Sequence, residues 1–363
     1  MKNLGRCTAL GTLFVLFALL LTHPEAAAQG AREGLQLCGR VVIPALFPFF
    51  VLASMAVSLG AAALLGRLLR PVAGPLFRLG SGACSALALG LLGGYPAGAQ
   101  TVRELWERGQ CTRPEAERAL AFCNNCGPAF LLGAAGAGVF HSSVIGGVLL
   151  AGHWLGAFTV GLLFRFYGKN GKNIPHTPSI SALSLSTALT RAVHRALMAV
   201  GNVCAYTVFF RVVVRLLEQV GAGNGFSRLP NGAALFTGLL DLTGGVSAVS
   251  PVQPFAVELA ALLMGFGGVS VLCQTAAVLE DSGLRLWPAL VGKLLHGPLA
   301  ALWTHLILKL LPPAALATMA AEPARRGALS GVFPFGTVLW AIIWGGWAVF
   351  ICFHSGKTGA KRV

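Results

Sequence analysis

The sequence SGACSALALGLLGGYPAG, residues 81–98, is apolar for most of its length and then meets helix-breaking residues. The sequence AALFTGLLDLTGGVSAV, residues 233–249, is interrupted in the same way near its middle. Glycine and proline both disfavour the interior of a helix, so neither stretch forms one straight helix. We predict that each turns back on itself as a hairpin. The predicted hinges are Gly93, Gly94, Pro96, Gly244 and Gly245.

The composition of the whole chain is typical of a membrane protein. Of its 363 residues, 55% are hydrophobic and 11% are charged, whereas soluble domains carry about 25% charged residues. This balance excludes a cytosolic enzyme, a secreted disulfide scaffold and a disordered tail protein. Irregular backbone is tolerated at membrane depth only where protein or water satisfies its polar groups. The two interrupted hairpins therefore predict a cavity.

Apolar runs recur along the chain, and their number predicts the fold class. We expect an all-α, polytopic integral membrane protein with about eight transmembrane helices plus two re-entrant hairpins. The first run is short enough for a cleaved signal peptide, but we favour an uncleaved span. The runs that could cross a bilayer are about 9–21, 36–60, 121–139, 142–164, 196–217, 255–273, 286–310 and 331–352.

The basic residues give the chain a formal net charge of +15, and they lie in short loops between the apolar runs. A nucleic-acid-binding protein would gather them on one face, so nucleic acid is not an expected partner. In the eight-span layout most of the Lys and Arg residues fall on one side of the membrane, which the positive-inside rule identifies as the cytoplasm. We therefore predict a multi-pass protein of the bacterial inner membrane with both termini cytoplasmic.

The sequence contains two copies of one unit, residues 35–167 and 188–310, which enter the membrane from opposite sides. Each copy has a long span, a hairpin, a helix that breaks, and a closing span that carries His153 or His296. Inverted repeats of this kind are typical of secondary transporters, whose sites lie between discontinuous helices. An N-terminal membrane segment and short outer loop precede them at 1–34, and a cytoplasmic linker joins them at 168–187. An outer loop, a last transmembrane helix and a basic tail follow at 311–363.

Each copy carries a local signal where its breaking helix starts. The sequences TRPE, residues 112–115, and SPVQ, residues 250–253, both fit a capping box, in which a hydroxyl residue is followed three positions later by Glu or Gln. Further along, each helix meets a breaker. The breakers are NNCGP at residues 124–128 and GFGG at residues 265–268, and the predicted hinges there are Gly127, Pro128, Gly267 and Gly268.

The motifs GGYPAGA at residues 93–99, TRPEAER at 112–118 and FCNNCGP at 122–128 resemble the YlbJ family of sporulation integral membrane proteins from spore-forming Firmicutes. That family belongs to the wider nucleoside-recognition, or Gate, domain family. The resemblance extends through PALFPFF at 44–50 and GGVSVLCQ at 267–274 and covers roughly residues 20–310. It implies a role in endospore formation and a Gate-type fold related to nucleoside carriers. It does not imply that nucleosides are the substrate.

The chain departs from the family pattern at three positions. The family usually carries Ser or Thr where Cys123 and Cys126 stand here, which argues against a metal or redox role for this single Cys-x-x-Cys sequence. The acidic residue of the second hairpin is usually Glu and is Asp241 here. The charge is kept on a shorter side chain, so the position of the site is expected to move.

Polar residues at the breaks are the candidate contacts for a solute or an ion. A carboxylate at membrane depth costs about 2.5 to 3.5 kcal/mol on insertion scales, so Asp241 is a functional candidate. The alternative is that Asp241 caps the half-helix that follows it, and that Asn124 and Asn125 cap their own break. The predicted substrate-binding or ion-binding residues are Asp241, Asn124, Asn125, Gln274, Tyr95, Gln100, Ser270 and Thr243.

Two histidines, His153 and His296, hold equivalent positions in the two copies. Each is either part of a proton relay or a hydrogen-bond partner between helices, which is the commoner role. Glu258 follows the second cap, where a carboxylate offsets the helix dipole. Snorkelling to the membrane interface explains most of the basic residues that lie near span ends or face the bundle, which are Arg40, Arg211, Arg215, Lys293 and Lys309.

These patterns favour a sporulation-associated carrier or exporter of a small polar solute, with the lipid bilayer and a coupling cation or proton as further partners. The alternative is a non-transporting membrane scaffold required for assembly of the spore cortex or coat, and a channel is a third hypothesis. No zinc-protease, phosphate-loop or nucleophile-elbow motif occurs, so no enzyme, cofactor or metal is predicted. The sequence leaves open whether the chain forms a homo-oligomer.

Overall fold

The computed structural model describes residues 2–168 and 184–311, and no strand occurs among them. The α-helices are separated or extended by three shorter elements. These are the π-helical segments Cys38–Val42 and Ala129–Val139 and the short 3₁₀ helix Asn224–Phe226. The α-helices are α1 Lys2–Thr22, α2 Pro24–Leu37, α3 Ile43–Ser58, α4 Ala61–Phe77, α5 Ser81–Gly93, α6 Ala97–Glu107, α7 Arg113–Phe122, α8 Ser143–Phe164, α9 Leu185–Gln219, α10 Gly232–Leu240, α11 Leu242–Ser247, α12 Ala256–Phe266, α13 Gly268–Leu279 and α14 Trp287–Leu310.

Several of these helices are long and apolar enough to cross a membrane. By length and composition four stretches within the described residues qualify, and the bent pair α4 and α5, which meet at 102°, would make a fifth. The predicted last span at 331–352 and most of the predicted linker lie outside the described residues. The four stretches are Pro24–Leu52, Ser143–Phe164, Leu185–Gln219 and Ala256–Leu279.

The first of these stretches starts earlier than the sequence predicts. Residues 24–34, predicted as an outer loop, are helical in α2, and the π-helical turn joins α2 to α3 without a break. Alanine, glutamate, glutamine and arginine in this segment are good helix formers. The polar side chains find partners on α9, where Glu33 forms ion pairs with Arg211 and Arg215. Pairing therefore replaces the snorkelling predicted for these two arginines.

The chain leaves the helix at both predicted breakers. The run at 121–139, predicted as one span, is divided between α7 and the π-helical segment, with residues 123–128 outside either helix. In the second copy Gly267 and Gly268 separate α12 from α13, with φ angles of 87° and 75°. Positive φ angles are costly for residues with a Cβ atom, so glycine suits this break. The result is two discontinuous helices, α7 with the π segment and α12 with α13.

The two predicted capping boxes have different outcomes. Thr112 and Glu115 form a capping box at the start of α7 as predicted. The prediction at Ser250 is wrong, because residues 250–255 form turns and α12 starts at Ala256. Pro254, four residues after Ser250, lacks the N–H that would close the first turn of a helix capped there. The side chain of Asn231 instead holds the backbone of Ser250 through both its N–H and its C=O.

Helices α8 and α14 pack closely because small residues line their contact. A Cβ atom added at Gly152 would lie 2.2 Å from the hydroxyl oxygen of Thr304, and one at Gly156 would lie 2.9 Å from the nitrogen of Ala300. Small residues of this kind let helix backbones approach in membranes. The close packing brings the two buried histidines, His153 on α8 and His296 on α14, to a ring-centroid distance of 4.3 Å.

Candidate functional site

A small cavity of about 40 Å³ lies where the hairpins and the discontinuous helices meet. A water molecule occupies about 30 Å³ of liquid and ligand pockets hold about 300 to 1,000 Å³. The cavity thus has room for water or an ion and is closed to a larger solute. Its polar and turn residues are Gly93, Gly94, Tyr95, Cys126, Gly127, Thr207, Asp241, Thr243, Ser270 and Gln274, and apolar side chains including Phe49, Phe50 and Phe130 complete its wall.

A wider groove of about 610 Å³ lies beside the same elements. Like the cavity, the groove is bordered by α3, the π-helical segment Ala129–Val139 and α11. Arg40 is the charged side chain that lines it, together with Pro44, Ala45 and Ser247. Among the described residues, a groove large enough for a small solute therefore lies next to a cavity large enough for water or an ion.

Asp241 stands between α10 and α11 and is 2% exposed. One carboxylate oxygen accepts a hydrogen bond of 2.7 Å from the N–H of Gly244, so Asp241 caps α11. The Ser270 hydroxyl and the Arg211 guanidinium are both near enough to this carboxylate to interact with it. Asp241 borders the cavity as well. Capping and exposure to the cavity, which the sequence left as alternatives, are thus combined in one side chain.

The first break contributes two asparagines that are fully buried. Asn124 donates a 2.9 Å hydrogen bond to the hydroxyl of Thr275 on α13, and Asn125 donates a 2.8 Å bond to the carbonyl of Phe122. The side-chain oxygens of both asparagines, and that of Gln274, have no partner among the described residues. Buried side-chain oxygens without donors are rare. Gln274 borders the cavity, whereas Asn124 and Asn125 are not among the residues that line it.

The tip of the first hairpin packs directly on the first break. A Cβ atom added at Gly90 would lie 1.5 Å from the carbonyl oxygen of Cys123, and one at Gly98 would lie 2.1 Å from the same atom. The hairpin tip also reaches the second discontinuous helix, because the Tyr95 hydroxyl donates a 3.0 Å hydrogen bond to the carbonyl of Met264. Both breaks and the first hairpin therefore meet around the cavity.

A buried lysine lies behind the hairpin tip. Lys293 is 2% exposed in α14, so it faces the bundle, which is one of the two placements that the sequence left open, and does not snorkel. Its Nζ atom donates to the Tyr95 hydroxyl at 2.8 Å and lies 3.2 Å from Nδ1 of His296. The spacing of Lys293 and His296, three residues apart on one helix face, is the sequence signal that could have identified this pair.

The two histidines interact through the backbone. Nε2 of His296 bonds to the carbonyl of His153 at 2.9 Å, and Nε2 of His153 accepts a 3.1 Å bond from the N–H of Cys126. No hydrogen bond joins the two rings in the part of the chain that the structure describes. A relay that passes a proton from ring to ring, one of the two roles predicted for them, therefore has no direct path here.

Two other predicted residues lie away from the cavity. Gln100 is exposed, because α6 turns its other face, with Gly98, Ala99 and Val102, toward the core. Glu258 lies in the first turn of α12, as a carboxylate that offsets the helix dipole would, and it pairs with His305 at 3.0 Å. Within the described ranges no group of three or more His, Cys, Asp or Glu side chains could hold a metal ion.

The start of α7 is held by a polar cluster outside the candidate spans. Glu117 accepts hydrogen bonds from the Tyr167 hydroxyl at 2.6 Å, from Arg113 at 2.9 Å and from the backbone N–H of Arg285 at 3.2 Å. Burial acts to raise the pKa of the Glu117 carboxyl, but these hydrogen bonds outweigh it and hold the pKa below its usual value of 4.5. The cluster fixes the end of α7 that leads into the first break.

Comparison with known proteins places the chain in a family. No protein-family model matches it. The sporulation integral membrane protein YlbJ of Bacillus subtilis (strain 168) is 32% identical over 339 residues, and the match covers 83% of each chain. The chain belongs to the YlbJ family. The resemblance read from its motifs is confirmed, and this YlbJ family member is a sporulation integral membrane protein that contacts the lipid bilayer and has several apolar helices to cross it.

Two solved structures are also similar to the YlbJ family chain. One is a variant of CNTnw in the intermediate 1 state, with a TM-score of 0.44 and 13% identity over 86% of this chain and 87% of that chain. The other is a variant of CNTnw in an outward-facing state, with a TM-score of 0.42 and 12% identity over 84% of this chain and 85% of that chain.

Proposed function

We propose that this YlbJ family chain is a secondary carrier or exporter of a small polar solute, and that the solute binds in the cavity between the hairpins and the discontinuous helices. The observation that carries the proposal is the buried carboxylate of Asp241, which borders this cavity. In the proposed arrangement this carboxylate lies at membrane depth, where a charged side chain costs free energy and is typically retained for function.

The chemistry of the cavity favours a solute that offers hydrogen-bond donors. The Asp241 carboxylate and the unpaired side-chain oxygen of Gln274 are acceptors, whereas the hydroxyls of Thr243 and Ser270 can donate or accept. The present cavity of about 40 Å³ is too small for such a solute. Binding therefore requires movement of a hairpin or of a half-helix, as alternating access does in transporters built on discontinuous helices.

We also propose a membrane arrangement of two inverted Gate-type repeats, residues 35–167 and 188–310, within about eight spans of a bacterial inner membrane. The termini and the linker 168–187 lie in the cytoplasm, and no catalysed reaction is assigned. The correspondence of elements supports this arrangement. The pair α5 and α6 corresponds to α10 and α11, and the two discontinuous helices correspond to each other. Helix α8, with His153, corresponds to α14, with His296. A coupling ion and a homo-oligomer belong to the same proposal.

The proposal is tested by replacing Asp241 with asparagine in the full chain, expressed in a Bacillus subtilis strain that lacks its own YlbJ. The readout is the yield of heat-resistant spores together with uptake of candidate polar solutes by vesicles that contain the purified chain. Glu258→Gln is the matched control, because it removes a carboxylate that lies in an apolar helix but away from the cavity. We expect Asp241→Asn to lose both activities and Glu258→Gln to keep them.

A scaffold would give the opposite pattern. Full spore yield with Asp241→Asn, and loss of spores when residues 108–110 of the turn between α6 and α7 are replaced by alanine, would refute the carrier and favour assembly of the cortex or coat.

A further inference from the structure

Lys293 is buried at the centre of a network of neutral partners. Its Nζ atom donates to the hydroxyl of Tyr95 at 2.8 Å and to the carbonyl of Gly265 at 3.4 Å, and it faces Nδ1 of His296 at 3.2 Å. In the part of the chain that is described, no carboxylate forms an ion pair with it. A buried ammonium without a counter-charge costs free energy that the neutral amine does not.

The protonation of the partners follows from their own hydrogen bonds. Nε2 of His296 faces the carbonyl of His153, which can only accept, so Nε2 carries the hydrogen and Nδ1 is left as an acceptor. The Tyr95 hydroxyl gives its hydrogen to Met264 and accepts from Lys293 with its oxygen. Three acceptors therefore surround Nζ, which suits an ammonium, and an amine could keep two of the three hydrogen bonds.

Other titratable groups near Lys293 are neutral or engaged elsewhere. Cys123 and Cys126 face it from the first break, and His153 faces it from α8. On the elements that pack on α14, Glu117 is bound near the start of that helix by Arg113, Tyr167 and Arg285. Glu258 is bound by His305, twelve residues along α14 from Lys293, or about 18 Å at 1.5 Å per residue.

Tyr95 connects this lysine to the cavity, because its side chain borders the cavity and its hydroxyl contacts Nζ. We propose that Lys293 is a proton-exchanging site that gives up and regains a proton through Tyr95, and that this exchange drives the movement of the solute. The inference rests on the proposed carrier function. In the releasing step a N–H bond of Nζ breaks and its proton passes to the Tyr95 oxygen. In the same step the tyrosine hydroxyl turns away from the Met264 carbonyl and gives its own proton to a cavity water, so an ammonium and a water become an amine and a hydronium ion.

The test measures proton binding directly and needs no solute. The full chain is reconstituted in vesicles of phosphatidylethanolamine and phosphatidylglycerol, and the vesicles are adsorbed to a solid-supported membrane. A step to lower pH then moves protons into the buried site and produces a transient current. We expect the transient in the wild type, its loss in Lys293→Met, and a slower transient in Tyr95→Phe. Lys309→Met, an exposed lysine on the same helix, is expected to keep it.

A second variant separates charge from exchange. Lys293→Arg keeps a cation that does not deprotonate in proteins, so it is also expected to lose the transient. If Lys293→Met does not fold, the transient of Lys293→Arg tests the inference in its place. A full transient in folded Lys293→Met or Lys293→Arg overturns the inference, as does a wild type no different from protein-free vesicles. Loss of the transient in Asp241→Asn with retention in Lys293→Met would move the proton site to Asp241. The carrier proposal would survive any of these failures, because it is tested separately by spore yield and uptake.

Discussion

Replacing Gly90 with alanine tests whether the first hairpin packs on the first break. The added methyl would lie 1.5 Å from the carbonyl oxygen of Cys123, whereas ordinary contact begins at 3.4 Å, so the two backbones must separate by about 1.9 Å. No side-chain rotation can relieve this contact, because the obstructing atom belongs to the backbone. Overpacking costs about 1 to 3 kcal/mol and sometimes more. We expect Gly90→Ala to lower the free energy of unfolding by about 3 kcal/mol, at the upper end of that range.

The assay is equilibrium unfolding of the purified chain in mixed micelles, followed by tryptophan fluorescence. Gly147→Ala in α8 is the matched control, because a Cβ atom there has no neighbour within 4 Å. Alanine is a better helix former than glycine by about 0.5 to 1 kcal/mol, so the control should be slightly stabilised. If Gly90→Ala is as stable as Gly147→Ala, the hairpin does not contact the break and the cavity described above is not formed.

Three further predictions concern the contacts that position the site. Thr112→Ala should destabilise the chain by about 1 kcal/mol through loss of its capping box, whereas Ser250→Ala should have little effect on unfolding. In a double-mutant cycle, Asn124→Ala and Thr275→Val should show a coupling of about 0.6 kcal/mol and at most about 1.7 kcal/mol, and additive effects would contradict their contact. Glu117 should stabilise the chain fully above pH 4.5 and progressively less as the pH falls below it. Wild type should therefore lose its advantage over Glu117→Gln in acid, as melting temperatures across pH will show.

The sequence predicted the breaks at residues 93–96, 124–128 and 267–268, because the residues that cause them act locally. In the second hairpin the prediction is wrong, because the chain breaks at Asp241 and the predicted hinges Gly244 and Gly245 are helical in α11. Glycine at 267 and 268 disfavours a helix wherever these residues lie in the fold, and the Thr112 capping box needs only residues three positions apart. The Ser250 capping box failed because a distant residue, Asn231, holds that backbone instead. Local chemistry was therefore reliable where no tertiary contact competed with it.

The partners of the charged residues could not be predicted from the sequence. Lys293 and Arg211 both have side chains long enough to reach the membrane interface, and snorkelling is the usual role of such residues. Only the packing of α14 behind the first hairpin, and of α2 on α9, decides that these two side chains face the protein interior. The exposure of Gln100 likewise depends on which face α6 turns to the core.

The proposed inverted repeats require that the two halves of the chain insert into the membrane in opposite directions. Epitope tags inserted at Gly109, between α6 and α7, and at Asn224, after α9, occupy exposed turns in the two halves. Antibody binding is measured on intact protoplasts and on permeabilised ones. The account predicts that the Asn224 tag is accessible in intact protoplasts and the Gly109 tag only after permeabilisation. Both tags on one face of the membrane would contradict the inverted repeats and the site proposed between them.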